Sequence, residues 1–284
     1  MKKKSVVFGS LIPVFIFGFI ISLNSDEFDS KFMMGEPFHV DGLNTNESTM
    51  IMDYVYDDVT GDGILDDVIL AGSKDTPDSL YSYDVNIFVK DGQTDSYLTI
   101  TSTDEYYPNG FSGYISKIDL YDFTGDQVKE VLLIVGTGGT KSGPRAFISS
   151  FKERKPVVIF GMEENRGIDF EGEYIDGFKA NLISSKLNKT ITLDLSARKE
   201  EYIEKGWYNS AGKLLYSNAT AETYGFFDVQ VYDFEFDGVM DLKTSQFIGG
   251  IPAELLSTLE SVWKYEDSEW VVVRATYTTH LVDE

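Results

Sequence analysis

The stretch "DDVTGDGILDDVIL", residues 57 to 70, recurs in outline twice more, as "YDFTGDQVKEVLLIVG" from Tyr121 and "YDFEFDGVMDLKTSQFIGG" from Tyr232. Each copy has acids at the first, fifth and ninth loop positions, an oxygen-bearing residue at the third, and a strand-like run directly after. A repeated loop-and-strand unit constrains the fold more than any other feature of the chain. A small antiparallel sheet cannot bury its own faces, so each unit must pack on a neighbour.

The segments around the loops fit that demand. "YDVNIFVKDG" (83 to 92), "VLLIVG" (131 to 136), "AFISSF" (146 to 151), "TITLDL" (190 to 195) and "EWVVVRATY" (269 to 277) are β-branched or aromatic and bounded by turn residues, as strands are. After each loop and its strand comes a glycine (Gly72, Gly136, Gly249), then a second strand ending in a charged turn: "VKDG", "FKERK" or "KYEDSEW". The expectation is an all-β fold, a β-propeller-like array of about four antiparallel blades across residues 38 to 284. A β-sandwich carrying the same loops is the other topology. A degenerate unit has room between the second and third copies, where Asp169, Glu171 and Glu173 echo the loop but Gly177 stands at the ninth position. Helix-compatible pieces occur only around 197 to 205 and 252 to 260.

So many carboxylates in tight turns need a counter-charge, and calcium is the expected one. A hard cation takes about six to eight oxygen ligands, which alternate positions of a tight loop can supply. In the first loop these are the side chains of Asp58, Thr60, Asp62 and Asp66 with the carbonyl of Ile64. The second offers Asp122, Thr124, Asp126, the Val128 carbonyl and Glu130, and the third Asp233, Glu235, Asp237, the Val239 carbonyl and Asp241. Gly63 and Gly238 permit the bend, whereas Gln127 holds that place in the second loop. A left-handed backbone costs a non-glycine residue about 1 to 2 kcal/mol, so a weaker second site is expected. These are not EF-hands: the twelfth positions are Ile69, Leu133 and Thr244 rather than glutamate, and strands flank the loops.

On these loops the chain resembles the FG-GAP or VCBS-type repeats of integrin α-chain propellers and bacterial surface proteins. The resemblance covers three loops and their following strands. The Phe-Gly and Gly-Ala-Pro signatures are absent or eroded, with "GGIPAE" at 249 to 254 a loose echo. The resemblance implies a calcium-stabilised scaffold for binding or adhesion, commonly without catalysis, whose partner is a surface protein or a glycan. The rival expectation is an extracellular hydrolase acting on polysaccharide, requiring two carboxylates outside the repeat loops that face one cleft.

The remaining features narrow the function further. With 47 acidic and 24 basic residues the net charge is -23, which repels a nucleic acid backbone. The absence of cysteine excludes disulfides, thiolate metal sites and thiol nucleophiles. The two histidines, His39 and His280, cannot make a multi-histidine zinc centre. "GTGGTKSG" (136 to 143) departs from the phosphate-loop spacing and precedes a strand rather than a helix. Trp207, Trp263 and Trp270 read as packing residues. At the N-terminus, Lys2, Lys3 and Lys4 precede an apolar stretch from Val6 to Leu23, long enough to enter or cross a membrane core of about 30 Å. Residues 1 to 25 are therefore expected to be a signal peptide or anchor and 26 to 37 an acidic spacer. The rest of the chain is expected on the outer side of the membrane.

Overall fold

A computed structural model describes residues 32–76, 78–101, 110–115, 117–138, 143–250 and 254–278. The apolar segment from Val6 to Leu23 and His280 lie outside the described residues, and "GTGGTKSG" and "GGIPAE" lie partly outside them. Among the described residues no helix is long and apolar enough to cross a membrane. The expected spacer is already packed from Phe32: Phe32 and Phe38 rest on the first sheet, and the N–H of Gly35 donates to the Ile51 carbonyl at 2.8 Å.

The fold is all-β, and the described residues form three antiparallel sheets. The first contains β1 (Met50–Asp57), β2 (Asp66–Ser73), β3 (Ser82–Lys90) and β4 (Tyr97–Ile100) in chain order, with β5 (Phe111–Gly113) also on β3. The second is a four-stranded meander of β6 (Ile118–Tyr121), β7 (Glu130–Val135), β8 (Arg145–Ser150) and β9 (Val157–Phe160). The third has seven strands. Its three-stranded part is β10 (Glu171–Ile175), β11 (Lys179–Ser184) and β12 (Lys189–Asp194); after α1 (Lys199–Glu204), a meander follows of β13 (Thr220–Tyr232), β14 (Asp241–Gly250), β15 (Glu254–Glu266) and β16 (Glu269–Tyr277). The sheet order β12-β11-β10-β13-β14-β15-β16 joins the two parts edge to edge.

Each Asp loop therefore joins the first two strands of a four-stranded meander: β1 to β2, β6 to β7 and β13 to β14. Two expectations are corrected. Residues 252 to 260, read as helix-compatible, belong from Glu254 onward to β15, because alternate residues there face the core and pairing with β14 and β16 overrides a local helical pattern. The degenerate loop is not a loop, since Glu171 and Glu173 lie within β10. Asp169 there accepts hydrogen bonds from Ser184, Ser185 and the Lys186 N–H.

The sheets stack face on face, and the second is covered on both sides. Val131, Leu133 and Phe147 point into a core shared with Val68, Leu70, Val85 and Ile87 of the first sheet. Their neighbours Leu132, Ala146 and Ile148 point the other way, into a core shared with Phe226, Leu242 and Trp263 of the third. This two-sided burial is why β7 and β8 read as near-continuous apolar runs rather than alternating ones. Phe111 meets Phe147 at 4.7 Å across the first interface, and Phe160 meets Trp270 at 5.1 Å, edge to face, across the second. Each such side chain contributes roughly 1.5 to 3 kcal/mol by leaving water. Trp263 and Trp270 are both buried, in keeping with a packing role.

Candidate cation loops

One hydrogen-bond plan is repeated at all three loops. The first-position aspartate accepts the sixth-position N–H: Gly63 to Asp58 at 2.7 Å, Gln127 to Asp122 at 2.9 Å and Gly238 to Asp233 at 3.0 Å. The fifth-position aspartate accepts the seventh-position N–H: Ile64 to Asp62 at 2.8 Å, Val128 to Asp126 at 2.9 Å and Val239 to Asp237 at 3.0 Å. Amides thus replace the water a carboxylate would otherwise need, and they bend the chain back on itself. The fourth position is left-handed in each loop, with φ of 77° at Gly61, 74° at Gly125 and 59° at Phe236. Gln127 does adopt the strained conformation expected of it, with φ of 67°.

The ninth-position acids close the loops from inside. Asp66, Glu130 and Asp241 are all buried. Asp66 accepts the N–H groups of Val59 and Thr60, each at 3.0 Å, and that of Gly92 from the next hairpin at 3.0 Å. Glu130 accepts the Phe123 N–H at 2.9 Å and the Thr124 hydroxyl at 3.3 Å. Burial pushes the carboxyls of Asp66 and Asp241 above the usual range, for Asp66 against the pull of these amides and the Thr60 hydroxyl, and for Asp241 against that of Lys264 and the Phe234 amide. Glu130 is pushed up to about 7, by burial first and then by the charges of Asp126 and Asp122, with the Phe123 amide and Thr124 opposing.

Cationic side chains supply much of the counter-charge. Arg154, from the turn between β8 and β9, reaches into the first loop and pairs with Asp62 and with the buried Asp91. That turn is pinned to the loop by the Glu153 N–H, which donates to the Thr60 carbonyl at 2.9 Å. Lys152, from the same turn, bonds Asp126 of the second loop at 2.7 Å. Burial would raise Asp126, but Lys152, the Val128 amide and Thr124 outweigh it and hold it low. In the third loop Lys264 of β15 bonds Glu235, at the third position, at 2.8 Å.

The loops also stack on one another. A Cβ added at Gly61 would stand 2.7 Å from a Val128 methyl, and one at Gly125 would stand 3.3 Å from a Val239 methyl. The fourth position of each loop is thus the seat for the seventh residue of the next. Lys129 of the second loop pairs with Asp57 beside the first, and the Met240 N–H of the third donates to the Asp122 carbonyl at 2.8 Å. The series ends at Phe236, 86% exposed, and at its other end leaves Ile64 41% exposed.

All fifteen expected ligand residues therefore lie in three loops of one design, each set gathered within its own loop. Among the described residues, however, no three carboxylates or imidazoles are drawn together into a cluster that could hold a metal ion. Calcium is tested best by the first loop, where the Thr60 hydroxyl is buried and turned toward the Asp66 carboxylate. A buried hydroxyl so placed sets a neutral oxygen beside a carboxylate, the mixed oxygen set that a hard cation takes. Arg154, Lys152 and Asp91 were missed by sequence reasoning. The signals were the charged turns "FKERK" for the two cations and "VKDG" for Asp91, which mark hairpin ends but say nothing of where their charges reach.

Residues 168–278, which contain the seven-stranded sheet, match the YybI C-terminal domain family. Over 225 residues the chain is 30% identical to the uncharacterized protein YybI of Bacillus subtilis (strain 168), covering 78% of this chain and 82% of that relative. The chain belongs to the YybI family. The family domain begins where β10 and β11 do, so it holds the third loop and the long meander, while the first two loops precede it.

Proposed function

We propose that this YybI family chain is an exported, non-catalytic binding scaffold whose Asp loops take calcium and whose three meanders act as propeller-type blades. The observation that carries the reading is the shared plan of the loops: the same amides, left-handed position and buried ninth acid recur at the same place in each meander. The buried Thr60 hydroxyl beside the buried Asp66 carboxylate supports a cation in the first loop in particular. Asp58, Thr60, Asp62 and Asp66 would hold it, with Arg154 withdrawing from Asp62 as the ion takes over the neutralising role. The likeness to FG-GAP or VCBS repeats rests on the same loops. The exposed Phe236 and Ile64 at the ends of the loop series favour an open arc of blades. The lysine-led apolar N-terminal segment supports export.

Tyr56, Tyr121 and Tyr232 stand within two residues of a loop's first aspartate, so each can sensitise bound terbium. The expected result is tyrosine-excited terbium emission from the full-length protein that calcium competes away and that falls stepwise in Asp62→Ala, Asp126→Ala and Asp237→Ala. Emission unaltered by all three substitutions removes calcium from the reading.

A further inference from the structure

Beyond the loops, the outer face of the long meander carries a groove of about 550 Å³. Its floor is a transverse row in which Gln230 pairs with Lys243, Lys243 with Val262, and Val262 with Arg274, one residue from each of β13 to β16. Lys243 and Glu260 face each other at 3.6 Å, so the floor offers both donors and acceptors with little net charge. The wall is aromatic. Tyr232 and Phe234 lie 4.6 Å apart, and the Arg274 guanidinium sits 5.1 Å from the Phe234 ring, fixing it.

Phe236 completes that wall in an unusual way. Its backbone is left-handed, with φ of 59°, a conformation that the other two loops give to glycine. Its ring is 86% exposed and therefore gains almost nothing from burial in the folded chain. A side chain that carries backbone strain and buries nothing is explained by what it meets outside the molecule. Its loop is the last of the stacked series, so no later loop covers it.

We infer that this groove binds a neutral glycan chain, with Tyr232 and Phe236 stacking on sugar rings and Gln230, Lys243, Glu260 and Arg274 bonding their hydroxyls. The inference deepens the scaffold reading above and rests on it. The groove's chemistry selects the occupant. A purely apolar ligand would strip water from the Gln230 amide, the Lys243–Glu260 pair and the Arg274 guanidinium without offering a hydrogen bond in return. An anionic polymer meets a chain of net charge -23, and a pairing β-strand needs a sheet edge, whereas this floor lies on a face. A sugar ring has an apolar C–H face for aromatic stacking and equatorial hydroxyls for the polar row.

The test is calorimetric titration of the full-length protein, in a detergent without sugar headgroups, with cellohexaose, N-acetylated chitohexaose, maltohexaose and, as the charged comparison, hexagalacturonate. At least one neutral hexamer is expected to bind with a Kd of about 1 mM or tighter. Phe236→Ala, Tyr232→Ala and Arg274→Ala should each weaken it about 10-fold, equivalent to about 1.4 kcal/mol, while Leu215→Ala at an exposed position elsewhere does not. No binding of any neutral hexamer, preference for hexagalacturonate, or variants that bind like the parent overturns the inference. So does a dimer in sedimentation that Phe236→Ala abolishes, which would assign the patch to a second copy. Phe236→Ala retains every loop aspartate, so its terbium emission reports on the calcium reading separately.

Discussion

In the first loop Arg154 arrives from the neighbouring sheet and pairs with Asp62 and the buried Asp91, whereas in the third Lys264 comes from the loop's own sheet and bonds the exposed Glu235. The amide bonds that shape the two loops are the same. What differs is enclosure. The first loop has a turn of the next sheet clamped over it, while the third touches the second loop through Val239 and Met240 and ends in the exposed Phe236. The comparison teaches that short-range hydrogen bonds define the loop, while the next sheet decides how its charge is balanced. A calcium ion would therefore compete with a guanidinium shared between two aspartates in the first loop and with a lysine whose partner, Glu235, is exposed in the third.

The sharpest way to break this contrast is to remove each cation. Arg154→Ala leaves Asp91 buried and without its ionic partner, a change expected to cost about 3 kcal/mol in urea unfolding. Lys264→Ala removes a pair in which Glu235 is mostly exposed, and is expected to cost less than about 1 kcal/mol. Calcium should recover part of the Arg154→Ala loss, because the ion would neutralise Asp62 in place of the guanidinium. Equal losses in the two variants would show that enclosure does not set the balance.

The buried ninth acids give a pH-dependent test in the second loop. Glu130 has a folded pKa of about 7, above its unfolded value near 4.5, so the folded state holds the extra proton between these limits. Its contribution is fully present below pH 4.5, declines as pH rises towards 7 and is lost above it. Glu130→Gln keeps the shape and removes the charge. Without added metal the variant is expected to gain about 2 kcal/mol relative to the parent between pH 5 and pH 8, read from urea midpoints at each pH. Added calcium at pH 8 should narrow that gap by stabilising the ionised parent. A gap that does not change with pH would mean that Glu130 is not held in the dry setting that distinguishes these loops from ordinary surface turns.

The sequence made the strands and loops legible because both are local. Loop positions one, five and nine can be read from spacing, and the strands from β-branched runs such as "VLLIVG". Sheet membership was not legible. Nothing local tells β10 to β12 to extend the long meander edge to edge, and the apolar "LLSTLESVW" of β15 has no local mark that separates a strand from a short helix. The cations were equally hidden, since Arg154 lies 92 positions from Asp62 and meets it only once the sheets stack. The seventh-position residues show the same limit: spacing assigns Val128 and Val239 a carbonyl role, but their side chains also fill the seats made by Gly61 and Gly125.

Those seats supply the finest test, graded along the series. Alanine at Gly61 adds a Cβ 2.7 Å from Val128 at a left-handed position, so Gly61→Ala combines a clash with backbone strain and should cost about 2 kcal/mol. At Gly125 the distance to Val239 is 3.3 Å, leaving mainly the strain, and about 1 kcal/mol is expected. At the third loop no described residue covers the fourth position, so Phe236→Gly removes strain without disturbing packing and should change stability by less than about 1 kcal/mol, in the favourable direction. Thermal or urea unfolding of the three variants ranks them directly. The order loss, smaller loss, slight gain follows only if the loops stack in sequence and stop at Phe236. A loss at Phe236→Gly as large as that at Gly61→Ala would mean that the third loop is covered in solution, and the open end inferred from its exposure would be closed.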